Sequence, residues 1–143
     1  MFNPNVVVKN IVNQPTANAS IALIARILMA YIFLVAGWGK ITAYSATVGY
    51  MESMGVPGML LPLVIAVELF GGLAILFGFK ARFVAILLVG FNIISALLFH
   101  QFWIDESQMN PFMKNIAMAG GFLMIFAHGA GAYSIDNNNH RRI

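Results

Sequence analysis

The chain has 143 residues, 60% of them hydrophobic and 9% charged, with a formal net charge of +3 and no cysteine. Soluble domains carry about 45–50% apolar and about 25% charged residues, so this composition excludes a soluble globular domain and indicates an integral membrane protein. Without cysteine there is no disulfide, thiol-relay, Fe–S or Cys-ligated zinc chemistry, and basic residues placed mostly at helix ends reflect topology rather than a nucleic-acid partner.

Residues 1–19 hold Val6, Val7 and Val8 but also Asn3, Pro4, Asn5, Asn10, Asn13, Gln14, Pro15 and Asn18. They read as a loose cytoplasmic lead-in with a short interfacial turn, and Asn18 or Ser20 is placed to cap the helix that follows. No cleavable signal is expected, because the first apolar run exceeds the roughly 7–15 residues of a signal core. That run, about 21–38, has Arg26 as its only charge and exits through Gly37-Trp38-Gly39-Lys40. Tryptophan at the boundary suits the aromatic belt, and Lys40 can reach the headgroups. Residues 41–58 form the longest internal loop, where the spacing of Tyr44, Val48 and Met51 points to a short helix lying along the surface.

The second span, 59–79, carries Glu68 near its middle and Lys80-Ala81-Arg82 at its end. Twenty-one residues at about 1.5 Å each give roughly 30 Å, the thickness of a bilayer's hydrocarbon core. A carboxylate there is expensive, about 2.5–3.5 kcal/mol by analogy with Asp, so Glu68 requires partners. The very short link after it returns the chain antiparallel as a third span, 83–103, with polar members Asn92, Ser95, His100 and Gln101. A loop with Asp105 and Glu106 leads through Pro111 to the fourth span, 112–132, which starts with Lys114 and Asn115 and has His128 near its end.

The expected fold is therefore an all-α membrane protein, an antiparallel bundle of four transmembrane helices with both termini cytoplasmic. One transmembrane domain covers residues 20–132, followed by a polar, frayed cytoplasmic tail at 133–143. Lys9, Arg26, Lys80, Arg82, Arg141 and Arg142 fall on the side of the termini against Lys40 and Lys114 on the other, which sets the orientation by the positive-inside rule. Gly71-Gly72, Ala74 with Gly78, and Ala117 with Gly121 make flat patches for close helix packing.

Rise per residue places Glu68 roughly 12–14 Å below the outer boundary and Arg26 roughly 8 Å above the inner one. One reading is a purely structural Glu68–Arg26 pair that neutralises both charges. The other is a functional pocket open to the outer side, because Lys40, His100, Lys114 and Asn115 lie in the outer third of three further helices, with Trp38 and Trp103 at the boundary. Asn92 is expected to bond across helices from a face shared with Ser95, Phe99 and Trp103. His100 and His128 sit at opposite faces of the membrane, so no metal or bis-histidine haem site is expected.

The residues then show a resemblance. Arg26, the Gly37-Trp38-Gly39-Lys40 exit, Tyr50-Met51 with Gly55, Glu68-Leu69-Phe70-Gly71-Gly72, Leu76-Phe77-Gly78-Phe79 with Arg82, His100-Gln101-Phe102-Trp103, Lys114-Asn115 with Gly120-Gly121, and Gly131 to Asp136 together resemble the DoxX family of small bacterial membrane proteins. The resemblance runs over about residues 20–136. It implies a multi-pass protein of the bacterial inner membrane, of the kind found as the small subunit of a thiosulfate:quinone oxidoreductase or beside thiol-homeostasis enzymes.

The expected function is a redox-associated subunit that binds a quinone or a similar amphipathic ligand, with no covalently bound cofactor. It would be an accessory component of a quinone-linked oxidoreductase rather than a catalyst alone. Glu68 and His100 would relay protons. Arg26, Trp38, Lys40, Asn92, Trp103, Lys114 and Asn115 would bind the ligand, with the tryptophans at the entrance. The bilayer, an oxidoreductase protein and a second copy of the chain are the expected partners. Two alternatives stay open: a small oligomeric, proton-coupled permease, and a scaffold recruiting soluble enzymes through Lys80, Arg82, Arg141 and Arg142.

Overall fold

The structure, a computed structural model, describes residues 2–140, and Arg141 and Arg142 lie outside the described residues. Among the described residues there is no strand. Helix α1 spans Pro4–Val12, α2 Pro15–Thr42, α3 Tyr44–Ser53, α4 Leu61–Phe77, α5 Ala81–Phe99, α6 Met109–His128 and α7 Ile135–His140. Short 3-10 turns at Gly58–Leu60 and Glu106–Gln108 lead into α4 and α6.

Three of these helices are long and apolar enough to cross a membrane: Pro15–Thr42, Gly58–Phe77 and Ala81–Phe99. They correspond to the first three expected spans. Helix α6, at 20 residues, matches the fourth in length, but Asn110, Lys114 and Asn115 dilute its apolar character. Helix α2 packs along α4, α5 along α6, α4 against α5 and α2 against α6. Small and large side chains alternate in the interior. Ala30, Ala81, Ala85 and Ala119 let the backbones approach, while Phe33, Ile75, Leu88 and Phe122 fill the space between them. Phe33 meets Phe122 edge-on at 5.3 Å and Phe91 at 6.1 Å, which fixes the centre of the bundle just below the polar residues. Leu28, Phe70 and Ile94 are exposed on the outside of the three apolar helices, where lipid rather than water is the solvent.

The ends of the helices differ from their expected positions. Residues 4–12 are helical rather than loose, capped by the Asn3 side chain, which accepts from the Asn5 amide at 3.0 Å. Helix α2 starts at Pro15, a residue that needs no amide partner at a first position, so Asn18 and Ser20 lie inside the helix and cap nothing. It continues four residues past Trp38. Helix α5 stops at Phe99, because the chain turns at His100 and the Phe102 amide bonds back to the His100 carbonyl at 3.0 Å. Trp103 is therefore a loop residue and shares no helix face with Asn92.

The tail is folded, not frayed, through residue 140. Helix α4 ends on Gly78 in the left-handed conformation (φ 65°), and a Cβ there would lie 2.5 Å from Ser134 Cβ and 2.6 Å from Arg26 Nη1. The next helix has no cap of its own. Asp136 supplies one from the tail, its two carboxylate oxygens accepting from the Lys80 amide at 2.7 Å and the Ala81 amide at 2.8 Å. Asp136→Ala should lower stability by about 1 kcal/mol, the usual loss for an N-cap. The shift is measurable as a lower midpoint in reversible SDS unfolding.

Candidate functional site

Two chambers meet at the Lys40 end of the long helices. The smaller, about 110 Å³, has Lys40, Glu68, Asn92, His100, Lys114 and Asn115 in its wall, so six of the sequence-derived candidates from four helices converge. The larger, about 370 Å³, is mostly apolar and runs between α4 and α5 beneath α3. Lys40, Glu68, Phe91, Ser95 and His100 line both. Leu63, Ile94 and Leu98 in the wall of the larger chamber are exposed on the outside of the bundle, so it opens sideways toward lipid.

At the junction Lys40 Nζ donates to Glu68 Oε1 at 2.8 Å. Glu68 is 5% exposed, and its second oxygen, Oε2, is buried without a hydrogen-bond partner. Buried polar atoms are satisfied in the great majority of cases, so an orphaned carboxylate oxygen beside a cavity points to a ligand or water there. Gly37 makes the pair reachable: it faces Leu69, and a Cβ on it would lie 2.7 Å from that side chain, so α2 and α4 pack at closest range one turn from Lys40.

Asn92 is fully buried, but it does not bond across helices as its face suggested. Its Nδ2 donates to the Leu88 carbonyl of its own helix at 2.7 Å, leaving Oδ1 unpartnered. Asn115 likewise donates to the Pro111 carbonyl at 3.2 Å. His100 Nδ1 lies 3.0 Å from Gln108 Oε1. An amide oxygen only accepts, so Nδ1 is the donor in this contact, and His100 also lines both chambers.

Three expected site residues lie elsewhere. Arg26 is buried at the opposite end, where it donates to the carbonyls of Ile75 (3.3 Å), Leu76 (2.8 Å) and Tyr133. It does not pair with Glu68. Trp38 faces outward from α2 and is absent from both chambers. Trp103 joins a three-ring cluster with Phe102 and Phe112, at centroid distances of 5.2 and 6.1 Å, and steadies the loop before α6 rather than an entrance. Lys40, for its part, is no free boundary lysine.

Sequence reasoning missed the roof. Tyr50 on α3 donates to the Phe99 carbonyl at 2.7 Å and stacks obliquely on the Phe99 ring, tying α3 over the larger chamber. Met51 beside it is buried. The Tyr44, Val48, Met51 spacing marked a surface helix, but nothing in it said what that helix covers. At the far end Arg82 donates to the Phe126 and Ala127 carbonyls at 2.7 and 2.5 Å, so the edge expected to recruit soluble enzymes is partly spent on holding α6.

Fold and site together define a class: an all-helical membrane protein with a buried ammonium–carboxylate pair under a laterally open pocket. The chain belongs to the DoxX family, whose profile matches residues 21–101. It is 54% identical over 114 residues to the inner membrane protein YqjF of Escherichia coli (strain K12), covering 80% of this chain and 88% of that one. It is 34% identical over 128 residues to the inner membrane protein YphA of the same organism, covering 84% and 91%. A shorter match, 32% over 65 residues and under half of each chain, is to the putative oxidoreductase CatD of Bacillus subtilis (strain 168). No solved structure matches. These relationships and the three apolar helices make it an integral inner-membrane protein of that family.

Proposed function

We propose that this protein is the membrane component of a redox system and holds a quinone, or a small amphipathic ligand of the same build, in the pocket under α3. In this reading α6 is a fourth crossing and both termini are cytoplasmic, in line with the Lys and Arg distribution. The observation that carries it is the unpartnered Glu68 Oε2 where an apolar, lipid-facing chamber meets a polar one. The larger chamber suits a ring with an apolar tail arriving from the bilayer, and the smaller one offers its oxygens hydrogen-bonding groups. A bound quinone would supply two-electron, two-proton chemistry. The chain's own part is to set the N–H groups of Lys40 and Lys114 beside the ring oxygens, to offer Glu68 and Asn92 as acceptors once the ring is reduced, and to provide a proton site at His100. The name of the CatD relative as a putative oxidoreductase supports the redox half of the reading.

Native mass spectrometry of gently extracted protein, with the associated lipids analysed for quinones, tests it. Ser95 lines both chambers, and Ser95→Phe would fill the passage between them. A quinone should accompany the wild-type chain and be lost from Ser95→Phe. Equal retention by both, or none in either, would sink the proposal.

A further inference from the structure

We infer that the pocket selects the reduced, hydroxyl-bearing form of its ligand, a quinol, over the quinone. The inference rests on the pocket reading above and follows from which hydrogen-bonding atoms the wall leaves unmet. Glu68 Oε2 and Asn92 Oδ1 are both buried without partners, and both residues line the smaller chamber. Both atoms are acceptors. Lys40 pins the other Glu68 oxygen, and Asn92 is oriented by its Nδ2 bond to the Leu88 carbonyl, since the flipped amide would set two oxygens against each other. His100, whose Nδ1 lies 3.0 Å from Gln108 Oε1, lines the same chamber.

The nearby donors are largely spoken for. Asn115 Nδ2 donates to the Pro111 carbonyl, Tyr50 to the Phe99 carbonyl, and Lys40 to Glu68. The remaining lysine N–H groups can meet an oxygen of either ligand form. A quinone carbonyl only accepts, so it leaves Glu68 Oε2 and Asn92 Oδ1 unmet and brings like partial charges together. A quinol hydroxyl has one O–H to give to the carboxylate or to the amide oxygen, and lone pairs that accept from a lysine. Sites built around a hydroxyl discriminate strongly against the analogue that lacks it, because their own buried groups are then left unpaired.

The test uses the full chain in dodecyl maltoside, titrated anaerobically by calorimetry with decylubiquinol, decylubiquinone and the di-O-methyl ether of the quinol. The quinol should bind about 10- to 100-fold more tightly than the quinone, the size of one buried hydrogen bond left unmade. The ether, which keeps the substituted ring but lacks the O–H donors, should gain nothing over the quinone. Asn92→Leu should lower quinol affinity about tenfold without weakening quinone binding, so the preference narrows. Glu68→Gln should reverse the preference: Lys40 holds the carboxamide oxygen, so the NH₂ falls where Oε2 was and donates to a carbonyl. If Asn92→Leu does not fold, the comparison of three ligands on the wild-type chain decides. Equal wild-type affinity for quinol and quinone overturns the selectivity and leaves the pocket reading standing. Binding of neither overturns both.

Discussion

Arg26→Ala should be the most damaging single substitution in the chain, lowering stability by about 3–5 kcal/mol, since buried carbonyls lose a charged donor at about 1–3 kcal/mol each. Arg26 is 1% exposed, and its guanidinium donates to the Ile75, Leu76 and Tyr133 carbonyls. The first two belong to the last turn of α4, at the negative end of the helix dipole, where the Ile75 carbonyl also accepts from the Gly78 amide at 3.2 Å. In water those carbonyls would be hydrated; inside a bilayer each needs a donor from the protein. Alanine removes the donors and leaves a cavity against Gly78. Arg26→Met separates the two effects by keeping most of the volume without the hydrogen bonds, and Arg26→Lys keeps the charge with poorer geometry. The expected order of SDS-unfolding midpoints is wild type, Lys, Met, Ala. A methionine variant as stable as wild type would show that packing alone, not the carbonyl bonds, accounts for Arg26.

The second large effect is expected at the ion pair. Lys40→Met leaves Glu68 buried and without its ammonium partner, and should cost about 3 kcal/mol, the lower part of the range for breaking a buried pair because Lys40 is partly exposed. Its side chain is 28% exposed against 7% for Glu68. The double variant Lys40→Met/Glu68→Gln removes both charges and should recover more than half of the loss. A double-mutant cycle by SDS unfolding reads the coupling directly. If the loss in the double variant equals the sum of the losses in Lys40→Met and Glu68→Gln, the two side chains act independently and the pair contributes nothing.

The apolar spans and the polar residues between them were legible because hydropathy and helical rise are properties of the chain alone. The partners were not, and one physical reason covers both errors. In a helix the Cα–Cβ bond tilts toward the amino terminus, so a side chain reaches back along the helix rather than straight out. On α2 that direction runs toward the Arg26 end. Arg26 consequently reaches away from Glu68 and toward the end of α4, while Lys40 reaches down from its own level to the carboxylate. Ending the first span at Trp38 hid this, since a lysine beyond a helix has no fixed direction. It is the continuation of α2 to Thr42 that gives Lys40 one. Trp38 and Trp103 were drawn to the pocket by depth alone, and depth does not say which way a ring faces. The roof at Tyr50 and the cap at Asp136 depend on contacts between segments about 50 residues apart, which no local pattern encodes.

The cap from the tail also orders events during synthesis. A ribosome delivers the amino-terminal helices first, yet the first amides of α5 wait for Asp136, and Arg26 waits for the carbonyl of Tyr133, 107 residues later. Helices α2, α4 and α5 thus enter the membrane with an arginine and a helix start still open at one end. The arrival of residues 133–136 closes both in one step, so the tail works as a latch on the finished bundle, and a nascent chain cut before it would be inserted but not locked.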